Sequence, residues 1–350
     1  MIHRITTLLG AALLAVTLPQ VSTAHHSVAG FFDPNEKVEI EGVVSRIRWR
    51  NPHTVFMINV TEEDGSTTEW MVESGALGVL RSRGLAREFV NVGDYVKILG
   101  DKPLRNRPET FARNMLLASG DEVLLTVGSR PHFSTETGGD LLESEFDPEV
   151  IANAKANADG IFRVWSDSFD RRRRGGRMFT SGHPLTAEAK AIQEQYDSGE
   201  EYLLGCTDWT MPRLMANPLP MEFTKDGDTI IQQFEENDER RVIHMNADAT
   251  VSGPRTRMGF SKGRWEDGSL VVETTHVTPE RLDNLGTPFG EDMHLIERFT
   301  LSDDETRLDY TIVVTDPFAF TEPYEQSRYW TWRPEIVVGS YACDEDQKLQ

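Results

Sequence analysis

The residues best suited to chemistry fall into two groups. His25 and His26 follow a stretch ending Ser22-Thr23-Ala24, and His53 follows Asn51-Pro52. Cleavage after Ala24 would make His25 the mature N-terminus, so that one residue presents an α-amine and an imidazole. An amine with two or three imidazoles suits Cu(II), which favours nitrogen donors in a near-planar arrangement and takes imidazole in its neutral form. Copper is the cofactor these residues point to, with zinc a weaker variant. The second group is His276, Asp283, Glu291, Asp292 and His294, with Arg264 and Glu273 on neighbouring predicted strands. Histidine beside carboxylate makes a general acid/base pair tunable around neutrality, and arginine can fix a carboxylate or enolate oxygen. With His294, Glu291, Asp283, His276 and Arg264 as catalytic candidates, such a set would serve isomerisation, elimination or hydrolysis. Each group also has a plainer reading: a histidine pair that merely follows a cleavage site, and polar residues that hold hairpins and rim loops together.

Strand alternation restrains the second group. Along the predicted strand from His294, that residue shares a face with Ile296 and Arg298, while Glu297 faces the other way with Phe299. The same rule puts Arg264 with Phe260 and Lys262, and Trp265 with Ser261. No Gly-x-Ser-x-Gly elbow, Walker A loop, dinucleotide fingerprint or HExxH pair occurs, so hydride transfer, kinase and zincin readings have no support. The aromatic supply of the second half, Trp265, Phe260 and Phe299 among it, could line a cavity for an apolar ligand.

The elements that would carry these residues divide the chain. Residues 1–24 read as a cleaved secretory signal: a basic start (His3, Arg4), an apolar stretch from Leu8 to Leu18 and a small-residue ending. No later segment is long and apolar enough to span a bilayer, so the expectation is a periplasmic or secreted protein without stable membrane insertion. Residues 25–127 alternate apolar and polar in short runs, Val38 to Trp49, Val55 to Val60, Thr67 to Val72, Tyr95 to Leu99 and Phe111 to Leu117. A helix is predicted over Gly75 to Phe89, between the third run and the fourth. Three strands, a helix and two strands is the order of a five-stranded OB-like barrel.

Residues 128–157 read as an acidic linker with a short helix from Pro148 to Asn157, and the run Arg171 to Arg177 beyond it as an anion clamp, a processing site or a solvated loop. Residues 158–350 carry an opening strand near Trp165, a helix from Leu185 to Tyr196 and eight sequential strands from Thr229 to Tyr341. These make a larger antiparallel β-barrel or curved sheet, lipocalin-like, able to hold a small molecule. The fold class expected is mainly β with few helices.

The formal charge of −21 argues against nucleic acid as a partner, since a polyanion would be repelled. The N-terminal barrel contributes little to it, with 12 basic against 15 acidic side chains over residues 28–125. In an oxidising compartment the two cysteines, Cys206 and Cys343, read as one bridge across the acidic second half, with two buried free thiols as the alternative.

The set Ala24-His25-His26-Ser27, Phe32-Asp33-Pro34-Asn35, Gly42-Val43-Val44 and Trp49-Arg50-Asn51-Pro52-His53 resembles a family of secreted bacterial proteins catalogued as domain of unknown function 6152. Downstream landmarks resemble a companion module of bacterial hypothetical proteins, among them Pro212-Arg213, Gly263-Arg264-Trp265-Glu266, Leu282-Asp283, Glu297-Arg298-Phe299 and Tyr341-Ala342-Cys343. The resemblance implies architecture and location; no activity comes with it. Two departures stand out. Phe260 occupies a position where that module carries histidine, and Gly286-Thr287-Pro288-Phe289 replaces a histidine-containing run, which favours an apolar pocket.

The leading expectation is a protein that binds a small, largely apolar molecule in its C-terminal barrel. A cofactor-independent lyase, isomerase or hydrolase using His294 with a nearby carboxylate is the second, and a copper protein built on His25 the third.

Overall fold

The computed structural model describes residues 31–81, 85, 89–104, 106–126, 129–134, 146–167, 178–180, 182–196, 209–283, 285–341 and 343. Its N-terminal half is built around one long strand, β1 (Phe32–Arg48), which pairs antiparallel with β2 (Val55–Thr61) along its second part and with β4 (Tyr95–Pro103) along its first. A register shift between Val44 and Arg46 lets one strand serve both partners, as a bulge sharpens local twist. Gly42 sits where they converge: a Cβ there would lie 2.2 Å from the carbonyl oxygen of Asn59. Strand β3 (Thr67–Glu73) pairs antiparallel with β2 and parallel with β5 (Glu109–Leu116), and β5 returns to β4. The circuit β1-β2-β3-β5-β4 closes, with the helix Leu77–Arg81 between β3 and β4. This is the expected OB-like order, extended by a short β6 (Glu122–Leu124) on β5. Val44, Phe56, Ile58, Val72, Val96, Ile98 and Met115 fill it together with Leu80 and Leu85.

The second half is a closed barrel of nine strands. Six run as an antiparallel meander from β10 (Arg240–His244) through β11 (Phe260–Glu266), β12 (Ser269–Thr275), β13 (His294–Leu301), β14 (Arg307–Thr315) and β15 (Tyr324–Trp332), except that β10 and β11 pair parallel. The three-residue β7 (Val164–Ser166), with β8 (Met221–Asp226) and β9 (Thr229–Phe234), completes the ring between β15 and β10. The predicted strand from Ile336 to Tyr341 is not a strand; that segment is a tail without regular structure. The predicted helices shorten to Leu77–Arg81, Pro148–Ala156 and Ala187–Gln193.

Alternation along β14 shows how the barrel is filled: Leu308, Tyr310, Ile312 and Val314 are fully buried, while Asp309, Thr311 and Val313 face outward. Phe223, Leu270, Val272, Leu295, Phe299 and Trp330 join them in one core. One charged network crosses this interior. Arg241, wholly buried, donates through Nε to Ser261 Oγ (2.9 Å), through Nη1 to Gln232 Oε1 and Glu297 Oε1 (3.1 Å each), and through Nη2 to Thr274 Oγ1 (2.6 Å) and Glu297 Oε2. The Tyr310 hydroxyl donates to Glu297 at 2.9 Å, and burial, followed by the Glu297 charge, holds that phenol well above its usual pKa. All five guanidinium hydrogens can be placed, which is what a buried arginine requires.

Candidate functional site

Antiparallel pairing brings the end of β12, the start of β13, the end of β14 and the start of β15 to one end of the barrel. At that end three side chains from distant segments form a chain. Asp283, in the β12–β13 connection, accepts from the Leu285 and Thr287 amides (2.9 and 3.0 Å) and from Thr287 Oγ1 (2.7 Å), and Gln193 on the helix Ala187–Gln193 donates to the same Thr287 hydroxyl at 2.6 Å. Its Oδ2 also meets Nε2 of His183, and both side chains are about 2% exposed. On the other side of the ring, Nδ1 of His183 lies 3.2 Å from the hydroxyl of Tyr324, the first residue of β15.

The segment that carries His183 is stitched to the β14–β15 turn. Thr186 Oγ1 donates to Phe318 O at 2.7 Å, Thr321 Oγ1 donates to Pro184 O at 3.0 Å, and Leu185 bridges to Phe320. Phe320, His183 and Phe179 surround Tyr324 with ring centroids at 5.3, 5.0 and 6.3 Å. Burial, with Asp283 adding, pushes the Tyr324 phenol up to about 12, so it is a neutral hydroxyl at physiological pH. The Asp283 carboxylate accepts from Nε2 of His183, and Nδ1 on the far side of the ring is in hydrogen-bond contact with the Tyr324 hydroxyl.

A second ionisable cluster lies where the two barrels meet. Asn51, wholly buried, accepts from the Leu77 amide at the start of its helix (2.8 Å) and donates to the carbonyl of Tyr341 in the C-terminal tail. Val79, Leu219 and Tyr341 pack together beside it. The turn between β9 and β10 supplies three carboxylates: Glu235 pairs with Arg81 at 2.7 Å and accepts from the Gly339 amide at 2.9 Å, Asp238 accepts from the Tyr341 amide at 3.0 Å, and Glu236 accepts from Asn217 at 2.6 Å and from the Tyr341 hydroxyl. Burial raises the Glu236 carboxyl to about 7 against the lowering effect of Tyr341, Asn217 and Arg213. Glu236 also lines a small cleft with Leu214, Phe234 and Trp330, far below the roughly 300–1,000 Å3 of ordinary ligand pockets.

The residues singled out in sequence do not converge. His294 opens β13 on its outer face with Ile296 and Arg298, as alternation requires; Glu291 and Asp292 are exposed, Glu291 lying 3.6 Å from Arg255. His276 contacts the Thr275 hydroxyl at 2.9 Å. Arg264 stands on the outside between Glu266 (2.6 Å) and Glu273 (2.9 Å). Of that group, only Asp283 enters a buried pair. Trp265 is 48% exposed and meets Phe162 edge-on, Phe260 stacks on His244, and Phe299 lies inside the core against Phe223 and Tyr310, so those three line no common surface.

His53 directs Nδ1 at Glu73; burial alone would lower the imidazole, but Glu73 and, further off, Glu236 carry it above its usual value. His25, His26, Cys206 and the run Arg171 to Arg177 lie outside the described residues, among which no three His, Cys, Asp or Glu side chains group as a metal site. His183 and Glu236 were not legible as site residues: one follows a glycine in an unpatterned stretch, the other sits in a hairpin-like acidic turn.

No curated protein sequence matches this chain. Residues 12–110 match a Family of unknown function (DUF6152), a stretch that holds Asn51, His53 and Glu73 of the inter-barrel seam.

Proposed function

We propose that the chain binds a small, largely apolar molecule at the end of its C-terminal barrel, with the Asp283–His183–Tyr324 chain meeting one polar group of the ligand. The observation that carries this reading is the neutral phenol of Tyr324, oriented by a buried imidazole and ringed by Phe179 and Phe320. The middle of the barrel is occupied by its own side chains and by the Arg241–Glu297 network, which leaves the barrel end as the place for a guest. The fitting ligands are apolar molecules that carry one polar group able to exchange a hydrogen bond with the Tyr324 hydroxyl, alcohols and phenols among them.

Titration with 1-phenylethanol and with cumene, which replaces the hydroxyl by a methyl group, tests this by ligand-observed NMR. The alcohol should bind about 2- to 10-fold more tightly, the worth of one net hydrogen bond, and Tyr324→Phe should erase the difference. Absence of binding by either probe at millimolar concentration refutes the reading.

A turnover reading uses the same chain, with His183 in the acid/base role first assigned to His294. It is favoured by the unbroken carboxylate–imidazole–phenol contact, and His183→Ala should abolish it. The sequence features of residues 1–24 support secretion, which N-terminal sequencing of native protein checks.

A further inference from the structure

The seam between the barrels holds four carboxylates, from Glu73, Glu235, Glu236 and Asp238, and their partners are unequal. Glu73 has His53, Glu235 has Arg81, and Asp238 takes a backbone amide of the tail. Glu236, 6% exposed, is held by two neutral donors, the Asn217 amide and the Tyr341 hydroxyl. The charged or titratable groups that face it among the described residues are Glu235 and Asp238 on its own turn, Arg213 from the segment before β8, His53 with Glu73 from the N-terminal barrel, and Tyr341 from the tail. Arg81 reaches the turn through Glu235, and Glu239 beyond it is paired with Arg257.

The same short turn therefore touches three bodies: its own barrel, the helix Leu77–Arg81 of the other barrel, and the tail at Gly339 and Tyr341. The Glu235 side chain lies directly over the helix, where a Cβ on Gly78 would stand 2.0 Å from its Oε1.

We propose that the Glu235–Asp238 turn is a proton-operated latch, which clamps the N-terminal barrel and the tail while the Glu236 carboxyl is protonated and loosens them when it ionises. A protonated carboxyl, held by the Asn217 amide and the Tyr341 hydroxyl, sits in this water-poor niche at little cost. An ionised one there is disfavoured by burial and by Glu235 more than Arg213 favours it, and is better accommodated once the seam opens and water reaches it.

The direction follows from linkage. In the closed seam the Glu236 carboxyl lies at about 7, against the ordinary 4.5 that exposure restores, so the closed form binds the proton more tightly. The extra stability of the closed seam is complete below 4.5 and is lost as pH rises to about 7. Glu235, which burial also raises, pushes the same way. Between pH 6 and pH 8.5 a carboxyl moving between those two values changes the opening equilibrium about tenfold.

Hydrogen exchange on the full-length protein reads this directly, corrected for the intrinsic pH dependence of exchange. The amides of Leu77, Gly339 and Tyr341 report the seam, and that of Ile312 in β14 is the internal reference. Protection at the three seam amides should fall about tenfold from pH 6 to pH 8.5 relative to Ile312, and Glu236→Gln should hold it high and remove most of that fall. Seam protection that does not change with pH in the unmodified protein overturns the latch without any variant being needed. So does a Glu236→Gln protein that keeps the wild-type slope.

Discussion

Arg241→Leu is the substitution whose cost can be worked most fully. The guanidinium makes five hydrogen bonds to Ser261, Gln232, Thr274 and both oxygens of Glu297, all inside the barrel and out of reach of solvent. Removing it leaves Glu297 with Tyr310 at 2.9 Å and a long contact to Thr274 at 3.4 Å as its remaining donors, and an uncompensated buried carboxylate costs about 3–5 kcal/mol. At about 2–4 °C per kcal/mol for a barrel of this size, the melting temperature should drop by roughly 6–20 °C. Near-ultraviolet circular dichroism follows the transition, because Tyr310 and Trp330 lie in the same core with ring centroids 5.1 Å apart.

The companion variant makes the argument sharper. In Arg241→Leu with Glu297→Leu both charges go together, and buried ion pairs replaced by apolar residues are often neutral or better. The double variant should thus be more stable than Arg241→Leu alone by at least about 1–2 kcal/mol, even with Gln232 and Tyr310 left to find new partners. An Arg241→Leu protein within about 1 kcal/mol of the parent, or a double variant less stable than the single, refutes the account of this network as a tightly coupled buried pair.

Asn51→Ala removes the side chain that serves both the Leu77 amide and the Tyr341 carbonyl, and should destabilise the seam by about 2–4 kcal/mol; calorimetry should resolve two transitions where the parent shows one. A single unchanged transition counts against Asn51 as the joint. Peptide mapping without reductant should join Cys206 to Cys343, whose Sγ lies 3.2 Å from the carbonyl oxygen of Asn51. Closing so long a loop is worth about 4–5 kcal/mol on the chain-entropy account, and two titratable thiols in the native protein would contradict it.

The period-two rule read the barrels well because it depends on local geometry alone. It placed Glu297 and Phe299 on one face of β13 and His294, Ile296 and Arg298 on the other, and the first pair is fully buried. The opening strand expected near Trp165 is present as the short β7, but the rule could not foresee the parallel pairing of β10 with β11, which depends on where a long connection happens to run. Ile336 and Tyr341 mimic a strand because both are buried, yet they are buried by docking against neighbouring structure rather than by pairing in a sheet.

Site residues were harder for a related reason. His276, Asp283, Glu291 and His294 are neighbours in sequence, but a connection that crosses a barrel rim spreads such neighbours apart. The partner Asp283 does find, His183, is 100 positions away and is brought there by threonine hydrogen bonds to the β14–β15 turn.

The Asn51–Tyr341 joint spans 290 positions, which sets an order of events during synthesis. The N-terminal barrel is complete by β6, yet its docking partner includes the segment around Tyr341, which is made much later. At the usual elongation rate of about 5–20 residues per second, on the order of ten to forty seconds separate the two. For that interval the face carrying Asn51, His53, Glu73 and Val79 stands uncovered, so the small barrel must fold and stay soluble on the strength of its own core.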